Sequence, residues 1–216
     1  MALSELQIER YSRQIILPQV GGRGQERLLA ARIVMIGELA DIESPLAYLV
    51  GAGVGTILLN TFGDSARPGY LIGQMRELNP DVNVGLASDL PRDSDLTLMF
   101  IGSARARDAA TVANSGSART ALIAARLDGP GQIAIIPSRP PCLACASTTL
   151  MPFGTNGENS ELAKMVATTE ALKHLVQPSV AGAIITFSGL SSRAHELVIR
   201  PNCTICTDSG PGIARK

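Results

Sequence analysis

Cys142 and Cys145 form one C-x-x-C, and Cys203 and Cys206 form a second. Thiolates are the ligands that a borderline-soft cation prefers, and a two-residue gap lets each pair chelate from a single turn. Two such knuckles, separated by residues 146–202, have the ligand types and local spacing of a tetrahedral structural zinc site. Sulfur would fill all four positions, so the ion would have no open coordination site and no catalytic part. The other readings are four ordinary buried thiols or a redox pair. A neutral chain without secretory features disfavours disulfides, and zinc is the reading adopted here.

The second stretch that speaks of chemistry is IVMIGELADIESP, residues 33–45. A β-branched run ends at Gly37 and should turn into a helix. In an α/β protein that binds a nucleotide, glycines at this point let backbone N–H groups approach phosphate. Only Gly37 remains in that role. Glu38, Asp41 and Glu43 put carboxylates where phosphate would sit. Two unit charges about 4 Å apart repel by about 4 kcal/mol at an effective dielectric of about 20. The same carboxylates favour a helix N-terminus. The expectation is a capped helix that binds no phosphate; the alternative is a cationic or non-nucleotide ligand. His174 falls in a helical pattern and is expected at the surface or half-buried, and His195 receives no role. There is no Ser-His-Asp or Cys-His arrangement.

These residues need a scaffold, and the pattern of the chain supplies one. Ser4 can cap a helix through SELQIERYSRQIIL, and GQERLLAA resumes as a short helix. RIVMI, TILLN, VNVGLA, DLTLMFIG, TALIAA and GQIAIIP read as strands. SPLAYLVGAG, the end of ARPGYLIGQMRELNP, and ARARDAATVANSG read as the helices between them. Strands alternating with helices imply a doubly wound, mostly parallel Rossmann-like sheet with helices on both faces. Residues 138–160 are turn-rich. ELAKMVATTEALKHLV reads as an amphipathic helix with Leu162, Met165, Val166, Thr169, Leu172 and Val176 on one face. AGAIITFS and AHELVIRP read as an antiparallel extension. One domain is expected over 1–216, with a helical arm (1–30), a Rossmann-like core (31–137) and a knuckle, crossover and C-terminal strand region (138–216).

Lys and Arg number 19 and Asp and Glu number 19, so the chain has no net charge and no nucleic-acid footprint. No apolar run approaches the roughly 20 residues of a membrane span. Charges occupy the N-terminal stretch where a signal peptide needs its apolar region, so a cytoplasmic setting is expected.

Six segments, in order, resemble the ThiF/MoeB/HesA proteins, the bacterial relatives of ubiquitin-activating enzymes. They are RYSRQIILPQVGGRGQERLLAARIVMIG, GAGVGTILL, RELNPDVNV, GQIAIIPSRPPCLAC, TTEALKHLV and LVIRPNCTIC. The resemblance implies a dimer that adenylates the C-terminal glycine of a small ubiquitin-like protein, using ATP and magnesium. Carried over by position, that activity is damaged. The family's GxGGxG falls on Gly37, Leu39, Ala40 and Ile42. Its ribose-binding acid falls at Thr61, a nearby second Asp at Gly63, and its magnesium-binding Asp at Gly102. The segment with the family's phosphate-binding Asn, Arg and Lys is shortened to GDSARPGYLIGQM, which offers no match. The short crossover stretch TNGENSELAK has no cysteine.

What the resemblance retains is the frame, the four cysteines and RYSRQ. The second arginine of that motif, Arg13 here, is implied to reach the partner's ATP phosphates in trans. The resulting expectation is a degenerate, non-catalytic subunit that pairs with an active homologue serving a ubiquitin-like or sulfur-carrier protein. Zinc is expected and ATP is not. The alternatives are a module that binds a peptide or carrier protein, and an active adenylyltransferase with a remodelled ATP site.

Overall fold

The computed structural model of the chain describes residues 2–62, 67–87, 93–102, 121–129, 131–136, 141–146, 159–178, 181–188, 191–203 and 206. The expected helix over ARARDAATVANSG and most of the turn-rich stretch lie outside these residues.

Ser4 starts the chain's first helix, α1 (Glu5–Arg10), through a reciprocal box: its side chain accepts from the Gln7 N–H, and Gln7 accepts from the Ser4 N–H. The single expected helix is two, because Tyr11 turns the chain before α2 (Ser12–Ile15). Then come α3 (Gly21–Ala30), β1 (Arg32–Glu38), α4 (Leu39–Ala52), β2 (Thr56–Phe62), α5 (Arg67–Leu78) and β3 (Asn83–Leu86). The chain continues through β4 (Leu96–Ile101), β5 (Ala121–Arg126), β6 (Gln132–Ile136) and the one-turn α6 (Leu143–Ala146). It ends in α7 (Ser160–Val176), β7 (Ala183–Ser188) and β8 (Ser191–Glu196).

The strands join in one sheet of order β3-β2-β1-β4-β5-β6-β7-β8. β1 to β5 pair in parallel, and β6, β7 and β8 add on antiparallel. β4 and β5 are buried along their length and are apolar apart from Thr97 and the terminal Arg126, as strands covered on both faces nearly are. The order reverses between β1 and β4. The crevice at their carboxyl ends is where open α/β sheets take ligands.

The face of α7 differs from the expected one. Ala163, Ala167 and Ala171 are wholly buried with Lys164 and Thr168, whereas Leu162 is 38% exposed and Thr169 is exposed. A helix lying on β4, β5 and β6 approaches closely only through small side chains. Of the expected face Val176 is buried, Val166 and Leu172 are half-buried against the core, and Leu172 lines a groove with Gln14, Leu17 and Val20. The second expected strand of the antiparallel pair is also displaced: β8 begins at Ser191, and Val198 and Ile199 stand exposed beyond it. Among the described residues no helix is long and apolar enough to cross a membrane.

Candidate functional site

The junction of β1 and α4 has no loop. Glu38 closes the strand and caps the helix, and Leu39 is already helical. Gly37 lies inside β1, opposite Thr61 of β2. A Cβ there would stand 3.1 Å from Ile42 and 3.2 Å from Phe100, so close packing of strand and helix calls for the glycine. Pro45 sits inside α4 and lacks the N–H that the Asp41 carbonyl would otherwise receive.

The Asp41 side chain is held from the far end of the chain. Lys164, in the second turn of α7, places its Nζ 3.0 Å from Asp41 and 2.7 Å from Glu161. The Lys164 side chain is 7% exposed, Asp41 24% and Glu161 70%. Burial opposes the ammonium charge, but the hydrogen bonds and charges of Glu161 and Asp41 outweigh it and raise the Lys164 pKa above its ordinary value. A buried cation therefore faces a carboxylate in the first turn of α4. Sequence reasoning singled out Asp41 and missed Lys164. A lysine in an amphipathic pattern carries no signal of a partner more than a hundred residues away.

The other carried-over positions hold no acid. Thr61 lies in β2, and Gly102 follows β4, with no atom of the described residues within 4 Å of where its Cβ would stand. Gly63 and the start of the shortened phosphate segment lie outside the described residues; the rest of that segment is α5.

The arm is fixed by two residues just before Arg13. Arg10 Nη1 donates to Asn79 at 2.7 Å and to Asp81 at 3.1 Å. The Tyr11 hydroxyl donates to Asp81 at 3.1 Å and accepts from Asn79 Nδ2 at 2.9 Å. Asn79 also donates to the Val50 carbonyl at 2.7 Å. The Tyr11 ring is 1% exposed and lies over Gly53, where a Cβ would stand 2.7 Å from it. Burial is the main cause that pushes the Tyr11 pKa up. RYSRQ and LNP, two separate segments of the family resemblance, thus meet in space. Arg13, on α2, is exposed and makes no side-chain bond among the described residues.

The cysteines come together. All four are buried, and their Sγ atoms lie within 4.8 Å of one another. Cys142 is 3.8 Å from Cys145 and 3.6 Å from Cys203, and Cys145 is 3.6 Å from Cys206. A tetrahedron with metal–sulfur bonds of about 2.3 Å has edges of about 3.8 Å, so the set has the dimensions to hold an ion such as zinc. Tight turns shape both knuckles: the Cys145 N–H bonds the Cys142 carbonyl and the Cys206 N–H the Cys203 carbonyl. The Arg200 N–H reaches Cys145 Sγ at 3.4 Å. Backbone hydrogen bonding from Cys206 is the main cause that brings the Cys203 thiol down to about 6, while burial pushes Cys142 and Cys206 up. His174 is half-buried, and burial pulls its pKa down; His195 is exposed on β8.

No family model matches the chain. A sulfur carrier protein adenylyltransferase of Thermus thermophilus is 27% identical over 254 aligned positions, covering 96% of this chain and 94% of that protein. The alignment is longer than the chain, so the relative carries segments that this chain lacks. The sulfur carrier protein ThiS adenylyltransferase of Escherichia coli is 37% identical over 94 residues, 35% of this chain and 37% of that one. The crystal structure of E. coli MccB matches with a TM-score of 0.64 over 91% of this chain and 72% of its own, at 14% identity, which shows a shared fold. The curated relatives and the shared fold support the resemblance of the chain to the ThiF/MoeB/HesA proteins.

Proposed function

We propose that this protein is a catalytically degenerate member of its family, a non-catalytic subunit that pairs with an active homologue. The active subunit would adenylate the C-terminus of a ubiquitin-like or sulfur-carrier protein. The observation that carries the reading is the Asp41–Lys164 pair at the first turn of α4. A phosphate needs an unfilled cluster of N–H groups and cations at that point. Here the cation is already matched by the chain's own carboxylate, and the strand enters the helix without a loop. Thr61 and Gly102, in place of the ribose and magnesium acids, point the same way. The relatives that are named sulfur carrier adenylyltransferases support a carrier protein as the substrate of the assembly.

Arg13 gives the subunit its part. The buried Tyr11 and paired Arg10 anchor the arm, and Arg13 remains exposed to reach a neighbour. Zinc in the four-cysteine cluster is structural in this reading. A reduced four-thiol set suits a reducing compartment, which supports a cytoplasmic setting.

The test is ATP–pyrophosphate exchange with a carrier protein. The chain alone should give none. Added to an active homologue from the same cell, it should raise exchange by about 10²-fold or more, as expected for supplying one transition-state donor. Arg13→Ala should abolish that gain. Exchange by the chain alone would overturn the reading.

A further inference from the structure

Neither helix of the arm can hold itself in place. α1 has six residues and α2 four, and neither buries a side chain. Isolated helices shorter than about 12 residues are marginal in water, so the place of these two must come from contacts outside them. Tyr11, the residue between them, is 1% exposed and makes that contact.

Its partner Asn79 is 2% exposed. The Asn79 backbone is fixed on both sides: its N–H bonds the Met75 carbonyl at the end of α5, and its carbonyl accepts from the Val82 N–H. A side-chain amide has two N–H donors and an oxygen with two lone pairs, and here all four are used. Nδ2 donates to the Tyr11 hydroxyl at 2.9 Å and to the Val50 carbonyl at 2.7 Å. Oδ1 accepts from Arg10 Nη1 at 2.7 Å and from the Asp81 N–H at 3.1 Å. One side chain therefore joins the arm, the last turn of α4 and the turn after α5. A carboxylate of the same shape has no N–H to give, and an apolar side chain serves neither end. Arg13 stands two positions beyond Tyr11, so whatever sets Tyr11 sets Arg13.

We propose that Asn79 is the positioning residue of the arm: it fixes α2 relative to the C-terminal turn of α4 and thereby sets where Arg13 is presented to a neighbour. The place of the arm is a property of this chain alone, whereas its use rests on the reading of Arg13 as a donor in trans.

The test is ¹⁵N relaxation on the zinc-loaded full chain. The amides of α2 should have order parameters of about 0.85, like those of the strands. In Asn79→Ala they should fall below about 0.6, while β1 and β4 keep the native value. Tyr11→Phe leaves the ring over Gly53 and removes only the hydroxyl, so it should fold and should loosen α2 in the same way. An asparagine that only adds stability would lower the melting temperature and leave α2 as rigid as in the native chain. That result, or an α2 already below about 0.6 in the native chain, would overturn the proposal. The second readout is ATP–pyrophosphate exchange with the active homologue and the carrier protein. Asn79→Ala should cut the gain in kcat by about 10-fold or more and leave KM for the carrier unchanged, because misplacement by about 1 Å can cost about 10²-fold. A raised KM at unchanged kcat would overturn the positioning role. No gain from the native chain would sink the reading of Arg13, and the order parameters would still decide whether Asn79 places the arm.

Discussion

Cys145→Ser is expected to empty the metal site and unfasten the C-terminal third of the sheet. The four thiols are buried together, so without an ion they gain little from proximity and their thiolates would repel one another. Zinc binding to structural thiolate sites is worth on the order of 10 kcal/mol, comparable with the whole stability of a domain. Ala146 and Leu197, which flank the knuckles in sequence, lie in the second-face core with Ala134 and Ile184 of β6 and β7. Release of the metal should therefore loosen β6, β7 and β8 before the parallel strands. Elemental analysis should find about one zinc per chain in the native protein and none in the variant. The variant's thermal transition should fall by well over 10 °C, since a loss of about 1 kcal/mol alone moves a domain of this size by about 2–4 °C. Native protein without zinc, or a variant that melts like it, would remove the metal from the account.

The second large effect is expected at Asp41. Asp41→Ala leaves the buried Lys164 ammonium with only the exposed Glu161, and should cost about 3 kcal/mol in urea unfolding, the low end for stranding a buried charge. Lys164→Met keeps the apolar stem and leaves Asp41, partly wet, at a helix N-terminus that favours it, so it should cost no more than about 1.5 kcal/mol. The double variant should be more stable than Asp41→Ala alone, which isolates the pair as the cause. The pH dependence has a definite sign. A lysine whose folded pKa lies above its ordinary value of 10.5 contributes in full below that value and loses its contribution only as pH rises through the raised one. The pair is therefore intact at any pH used to assay nucleotide binding. A neutral Asp41→Ala would show that it closes nothing.

The sequence made the local features legible and left the non-local ones hidden. The strands announced themselves through β-branched runs, and the knuckles through spacing within one turn. The Ser4–Gln7 box spans three residues and was half visible in Ser4. Lys164 was not legible as the partner of Asp41, because only the docking of α7 against α4 brings them together. The face of α7 was legible only in part: Val176 is buried as its pattern implies, but a helix lying flat on a sheet also buries its alanines, which size alone does not mark. The Tyr11–Asn79–Asp81 contact lay in two segments of the family resemblance, and nothing in either segment said that they touch.

The central claim is that the start of α4 no longer takes phosphate. Its most direct test is calorimetric titration of the zinc-loaded protein with ATP and magnesium. The account predicts no binding heat at millimolar ATP, because Asp41 already occupies Lys164 and no glycine loop presents its N–H groups. Micromolar binding would contradict it and favour the alternative of an adenylyltransferase with a remodelled site.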